Sequence, residues 1–177
     1  RKYFLVSAHR QENVDDPVRL QNLINSLNEV AHKFNQPIVI STHPRTKSKL
    51  DKLNLEINPL VTFHEPFGFI DYCKLQKESR IVFSDSGSVS EESVILELKA
   101  ITIRDSMERP EALESGSIIM SGLNTLGISQ SIEVLESGTT SKSPPYEYLI
   151  PDTSTRVINY ITSTIYQHKF WSGLRNQ

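Results

Sequence analysis

Short runs rich in β-branched and aromatic residues alternate with helix-period segments through the first two-thirds of this chain, and that alternation restricts the fold more than any other feature. The runs are Tyr3 to Ala8, Pro37 to Thr42, Leu60 to Phe63, Arg80 to Ser84, Ala100 to Arg104 and Ser117 to Met120. After the first run, Asp16 and Pro17 mark a helix start, an N-cap acid followed by proline at the first helical position. Leu20, Leu23, Ile24, Leu27, Val30, Ala31 and Phe34 then recur at three- and four-residue spacing, one apolar stripe on a long helix. Further helices are expected at Thr46 to Leu53, Phe69 to Gln76, Val89 to Leu98, within Asn124 to Glu136, and at Thr153 to His168. The Ser/Thr/Gly/Pro-rich stretch from Ser137 to Pro145 reads as a mobile loop. Continuous apolar strands that alternate with helices predict an α/β fold, a Rossmann-like doubly wound parallel sheet covered on both faces.

In such folds ligands bind beyond the carboxyl ends of the strands, and the polar clusters of this chain fall there. His9 and Arg10 follow the first run, His43, Pro44 and Arg45 the second, and Glu65 to Gly68 the third. Ser84 to Ser88 follow the fourth, and Arg104, Asp105 and Glu108 to Glu111 the fifth. The stretch Ser84 to Glu92 joins a strand, a small polar loop and a helix start, which gathers unpaired N–H groups at one point. Gly87 admits a close anion and the hydroxyls of Ser86 and Ser88 add donors. The plainer alternative is a capped helix with Ser88 and Glu91 forming a capping box. Five polar loops at one edge tilt the balance toward phosphate.

Arg10 offers a bidentate fork for phosphate and His9 a general acid or donor, against the alternative of a surface turn. Pro44 holds His43 extended, which suits a ligand contact and a structural turn equally. Glu92 lies one position beyond the cap and can accept the hydroxyls of a diol. No metal site is expected, because the histidines lack a ligand spacing and Cys73 is the single cysteine. Neither a G-x-G-x-x-G nor a Walker A sequence is present.

A chain of 177 residues fits one domain. Its formal charge of −2, with Lys and Arg scattered, gives no case for nucleic acid or an anionic membrane surface. No apolar run reaches the roughly 20 residues that a membrane-spanning helix needs. A lone cysteine suits a reducing, cytoplasmic location. The chain enters its first strand at once without an initiator methionine, which reads as a fragment of a longer protein.

Taken together, His9-Arg10-Gln11-Glu12-Asn13, Ser84-Asp85-Ser86-Gly87 with Glu91-Glu92, and Arg104-Asp105 with Glu108-Arg109-Pro110-Glu111 resemble the non-hydrolysing UDP-N-acetylglucosamine 2-epimerase family. The corresponding family patterns are HR-x-EN, SDSGG-x-x-EE and RD-x-x-ERPE, and they cover Tyr3 to about Gly122. Ser88 departs from the pattern, standing where a second glycine is usual. The resemblance implies that residues 1–177 are the UDP-binding C-terminal domain of a two-domain glycosyltransferase-B-like fold. The helix at 153–169 would pack on the absent N-terminal domain. It implies a diphosphate on Ser86, Gly87 and Ser88, the ribose on Glu92, and uracil near Phe67 and Tyr72. His9 would be catalytic, with Arg10 and His43 lining the cleft.

The implied reaction removes the C2 proton of a UDP-N-acetylhexosamine, eliminates UDP and re-adds it to the inverted sugar, with no cofactor. The acid and base carboxylates would lie in the absent half, leaving the isolated chain inactive. The resemblance further implies a role in surface polysaccharide biosynthesis and a homodimer for the full-length protein. The wording of the loops at His9, His43 and Phe67 looks closest to the branch forming UDP-N-acetyl-L-fucosamine. A glycosyltransferase half of the same fold and a non-catalytic UDP-sugar sensor are the competing readings.

Overall fold

A computed structural model describes residues 2–138 and 143–173. The chain divides into two compact units, Arg1–Pro145 and Tyr146–Gln177. Residues 139–142 of the expected mobile loop lie outside the described residues.

The first unit is built on six parallel strands, β1 (Phe4–Ser7), β2 (Ile38–Ser41), β3 (Val61–His64), β4 (Val82–Ser84), β5 (Ala100–Thr102) and β6 (Ile119–Met120). Their order, β3-β2-β1-β4-β5-β6, is that of a doubly wound Rossmann-like sheet. The connections reverse direction between β1 and β4, which opens a crevice at the carboxyl ends of those two strands. Register places Ser7 beside Ser41 on one side and Ser84 on the other, so the loops after β1, β2 and β4 leave the sheet at one level. The strands are shorter than their apolar runs, except β3, which keeps its length and is shifted by one residue. Their hydrogen bonding still extends to the flanks, because Arg80 donates its amide to Tyr3 and Leu5 donates to Ile81.

The helices of this unit are α1 (Gln11–Val14), α2 (Pro17–Phe34), α3 (Pro44–Leu53), α4 (Phe69–Glu78), α5 (Val89–Ile95), α6 (Glu111–Glu114) and α7 (Thr125–Ser137). Asp16 caps α2 by accepting from the Val18 amide, with Pro17 in the first turn. Asn35 and Asn54 end α2 and α3 in the left-handed region, as short amide side chains allow. The stripe on α2 is buried from Leu20 to Ala31. Helix α5 ends at Ile95, three residues earlier than its sequence pattern suggests, because Glu97 adopts φ 53 and breaks the helical path. The single turns α1 and α6 arise inside segments that read as loops. In each, one carbonyl, that of Arg10 or Pro110, accepts two later amides.

One cluster joins the stripe on α2 to Phe4, Val6, Ile38, Ile40, Phe83, Ile101 and Ile103 from the sheet and to Ile128, Ile132 and Leu135 from α7. Phe4 packs against Phe83 and edge-on to Phe34 at centroid distances of 5.7 and 5.8 Å. The Arg80 guanidinium lies over the Phe4 and Phe34 rings and pairs with Glu136, closing the lower end of this core.

The second unit holds a 3-10 turn (Tyr146–Leu149), α8 (Thr153–Thr164) and α9 (His168–Trp171). Helix α8 carries Val157, Ile158 and Ile161 at helical spacing, and none of its residues is buried. Among the described residues no helix is long and apolar enough to cross a membrane.

Truncating Leu27, 1% exposed, to alanine should cost about 2–5 kcal/mol in a urea unfolding titration. Val18→Ala on the same helix, 66% exposed, should stay within about 0.5 kcal/mol.

Candidate functional site

The loops after β1 and β4 meet at the crevice, and a buried carboxylate joins them. Asp85, the first residue after β4, is fully buried. It accepts the backbone amides of His9 (3.1 Å) and Arg10 (3.0 Å) and the side-chain amide of buried Asn13 (3.0 Å). Nδ1 of His9 stands 3.2 Å from Oδ1 of the same carboxylate, with the His9 side chain about half exposed. The Asn13 oxygen accepts two bonds from the Arg19 guanidinium, which also donates to Asp105 at 2.6 Å. A continuous polar path therefore runs from β4 through α1 and α2 to the loop after β5. Gly122 completes it at φ 60, where a Cβ would stand 2.7 Å from the Asp105 carboxylate.

Two guanidinium groups converge over Gly87. A Cβ there would lie 2.7 Å from Nη2 of Arg109 and 3.6 Å from Nη2 of Arg10. Arg109 is paired with Glu91, while Arg10 is 3.8 Å from Glu108. Buried Arg104 grips Glu108 with two bonds of 2.6 Å and lies 3.5 Å from Glu12. The hydrogen bond from Arg104 holds the Glu108 carboxyl at about 2 against an ordinary 4.5, helped by Glu108's own backbone amide and the nearby charge of Arg10. With Ser86 and Ser88 flanking the glycine, these two forks can take the oxygens of a phosphate or diphosphate.

Beside this locus stands Glu92. Its carboxylate accepts from the Ser88 hydroxyl and from buried Gln76, each at 2.6 Å, and Ser86 and Ser88 share a 3.0 Å hydroxyl contact. The expected Ser88–Glu91 capping box does not form. Ser88 already has helical φ and ψ and makes no side-chain cap bond; its hydroxyl turns to Glu92, while Glu91 holds Arg109.

Tyr72 on α4 is close enough to feel the charges of Glu92 and Asp85. Burial pushes its phenol up to about 12, those two carboxylates act in the same direction, and a hydrogen bond with Ser7 opposes them.

Of the residues singled out from the sequence, the crevice brings together His9, Arg10, Tyr72, Ser86, Gly87, Ser88 and Glu92. His43 and Phe67 sit on the neighbouring strand ends. His43 has extended backbone before Pro44, and its Nδ1 accepts the Arg45 amide, so it caps α3. Phe67 stacks obliquely on His64, with centroids 5.5 Å apart. Sequence reasoning assigned no role to Asp85, Arg109, Asn13 or Gln76. The first three lie inside the quoted motifs, which was their only signal, whereas Gln76 gave none.

A six-stranded parallel sheet with flanking helices and a polar crevice at its switch point defines a Rossmann-like α/β domain. Residues 1–162 match the family described as UDP-N-acetylglucosamine 2-epimerase, and the chain belongs to that family. A UDP-N-acetylglucosamine 2-epimerase of Methanocaldococcus jannaschii is 37% identical over 137 residues, 75% of this chain and 37% of that protein. A UDP-2,3-diacetamido-2,3-dideoxy-D-glucuronate 2-epimerase of Pseudomonas aeruginosa is 33% identical over 120 residues, 68% of this chain and 33% of that protein. The crystal structure of the M. jannaschii enzyme in complex with UDP-GlcNAc and UDP superposes with a TM-score of 0.79 at 32% identity. That superposition covers 91% of this chain and 45% of the other. The chain thus spans less than half the length of these relatives.

The Glu108 carboxylate is favoured in the folded chain, so its contribution is present above pH 4.5 and is lost as pH falls toward 2. Glu108→Gln should lower the thermal midpoint at pH 7, and its difference from the wild type should shrink steadily as the pH is lowered from 4.5 through 2 in melts followed by circular dichroism.

Proposed function

We propose that this chain is the UDP-holding half of a UDP-N-acetylglucosamine 2-epimerase, acting on a UDP-N-acetylhexosamine. The observation that carries this reading is the convergence of Arg10 and Arg109 over Gly87 beside the Glu92 carboxylate. The diphosphate takes the space above Gly87, with hydroxyl donors from Ser86 and Ser88. The ribose hydroxyls donate to Glu92, whose orientation Gln76 maintains from below. Uracil rests near Phe67 and Tyr72, and His43 lines the cleft at the end of β2.

Elimination of UDP places growing negative charge on the departing diphosphate. Arginine forks and hydroxyl donors already aimed at that position stabilise it without reorganisation. His9 stands beside the same locus as an acid or donor for the bond being broken. The carboxylates that remove and return the C2 proton belong to the other half of the protein, against which α8, ending at Thr164 short of the expected 153–169 span, packs. The reading extends to a cytoplasmic homodimer supplying activated sugars for surface polysaccharide.

Isothermal titration of UDP into the chain tests the reading. Wild type should bind, and Glu92→Ala and Arg109→Ala should each weaken binding about tenfold, the scale of one charge-assisted hydrogen bond. No heat at millimolar UDP would exclude the nucleotide site. The isolated chain should not epimerise a UDP-N-acetylhexosamine, and turnover detected by product chromatography would contradict the assignment of the proton-transfer groups to the other half.

A further inference from the structure

Two donors of different kinds hold the Glu92 carboxylate. The Gln76 side-chain amide donates to Oε2 and the Ser88 hydroxyl to Oε1, each at 2.6 Å. Gln76 lies near the end of α4 and is 2% exposed, and the Ser79 hydroxyl donates to its backbone carbonyl at 2.8 Å. A carboxylate only accepts, so the end of the Gln76 amide that faces it is the NH2. Ser88 is exposed, and its hydroxyl also meets that of Ser86 at 3.0 Å. A hydroxyl carries a single proton. Once Ser88 gives that proton to a diphosphate over Gly87, its bond to Glu92 is lost and the bond from Gln76 remains.

We propose that Gln76 is a positioning residue that makes the site selective for a ribose over a 2′-deoxyribose. The inference rests on the reading of Glu92 as the ribose contact. A carboxylate offers roughly four lone-pair positions, and Gln76 takes one of them on Oε2. The buried amide fixes the plane of the group, so the remaining positions stand in set directions and take two adjacent cis hydroxyls together. A carboxylate free to turn would follow whichever hydroxyl is present, and a ligand with one hydroxyl would lose little. A site built to meet a hydroxyl rejects the analogue that lacks it, because the unmatched position stays unpaired. Tyr72 stands one turn before Gln76 on α4, so the helix that carries the proposed uracil contact also fixes the ribose carboxylate.

The test is the preference between two nucleotides, which a merely structural glutamine would not set. UDP, 2′-deoxy-UDP and inorganic pyrophosphate are titrated calorimetrically into the wild type, Gln76→Met, Gln76→Asn and Ser88→Ala. Methionine keeps the volume without the amide, and asparagine holds the amide one methylene short of Glu92. Wild type should favour UDP over 2′-deoxy-UDP at least about tenfold. In both Gln76 variants UDP should weaken about tenfold while 2′-deoxy-UDP changes less than about threefold, so the preference collapses. Pyrophosphate, which meets the arginines and not Glu92, should bind wild type and the Gln76 variants alike. Ser88→Ala should weaken both nucleotides in proportion and keep the preference.

A wild type without the preference overturns the proposal, and so does a Gln76 variant that keeps it. A loss shared equally by UDP, 2′-deoxy-UDP and pyrophosphate in the Gln76 variants marks a structural role and overturns it as well. If neither Gln76 variant folds, wild type and Ser88→Ala decide, since loss of the preference in Ser88→Ala assigns it to the hydroxyl instead of the amide. A chain that binds no UDP fails the nucleotide reading. One that binds UDP and keeps its preference without Gln76 fails this inference alone.

Discussion

A single buried carboxylate, that of Asp85, ties the loop after β1 to the loop after β4 at the point where the sheet changes direction. Burying an ionised group is tolerable only when its lone pairs are satisfied, and here the donors come mostly from the backbone of the opposite loop. The crevice is thereby held open at a defined width. Everything that follows in the site depends on that width: the approach of Arg10 to Gly87, the reach of Arg109, and the placement of His9. Asn13 and Arg19 carry the constraint onward to Asp105, so the loop after β5 is registered against the same anchor.

The positive charge of the site is arranged in two tiers. Arg104 is buried and doubly bonded to Glu108, a fixed pair that shapes the loop before α6. Arg10 and Arg109 are partly exposed and meet their carboxylates, Glu108 and Glu91, near the surface. Exposed pairs of this kind contribute little net stability, so under the proposed function a diphosphate would displace Glu91 from Arg109 at small cost. Glu92 is held in the same way by hydrogen bonds from Ser88 and Gln76. Ser88 adds a hydroxyl link between Ser86 and the Glu92 carboxylate.

Legibility from the sequence followed the range of each interaction. The six strands and the long amphipathic helix α2 were readable because apolar periodicity is local, and the Asp16–Pro17 start needs only two adjacent residues. Helix α1 was not readable. Its single turn is stabilised by the Arg10 carbonyl and by Asn13 reaching Asp85 across 72 positions. The Ser88–Glu91 box failed for a related reason. Its spacing was right, but Ser88 entered the helix with helical backbone angles and found Glu92, while Glu91 was claimed by Arg109 from the loop after β5.

What the sequence by itself determined is the α/β alternation, the edge at which polar loops gather, and the cluster His9, Arg10, Ser86, Gly87 and Glu92 as candidates for a nucleotide diphosphate. Hydrophobic period and motif spacing encode those directly. Only the tertiary structure decided which side chains act on which. It made Asp85 the partner of His9, set Arg109 beside Arg10 over Gly87, and placed buried Gln76 under Glu92. Each of these pairings joins separate loops or helices of the fold, and no local pattern records a distance across a sheet.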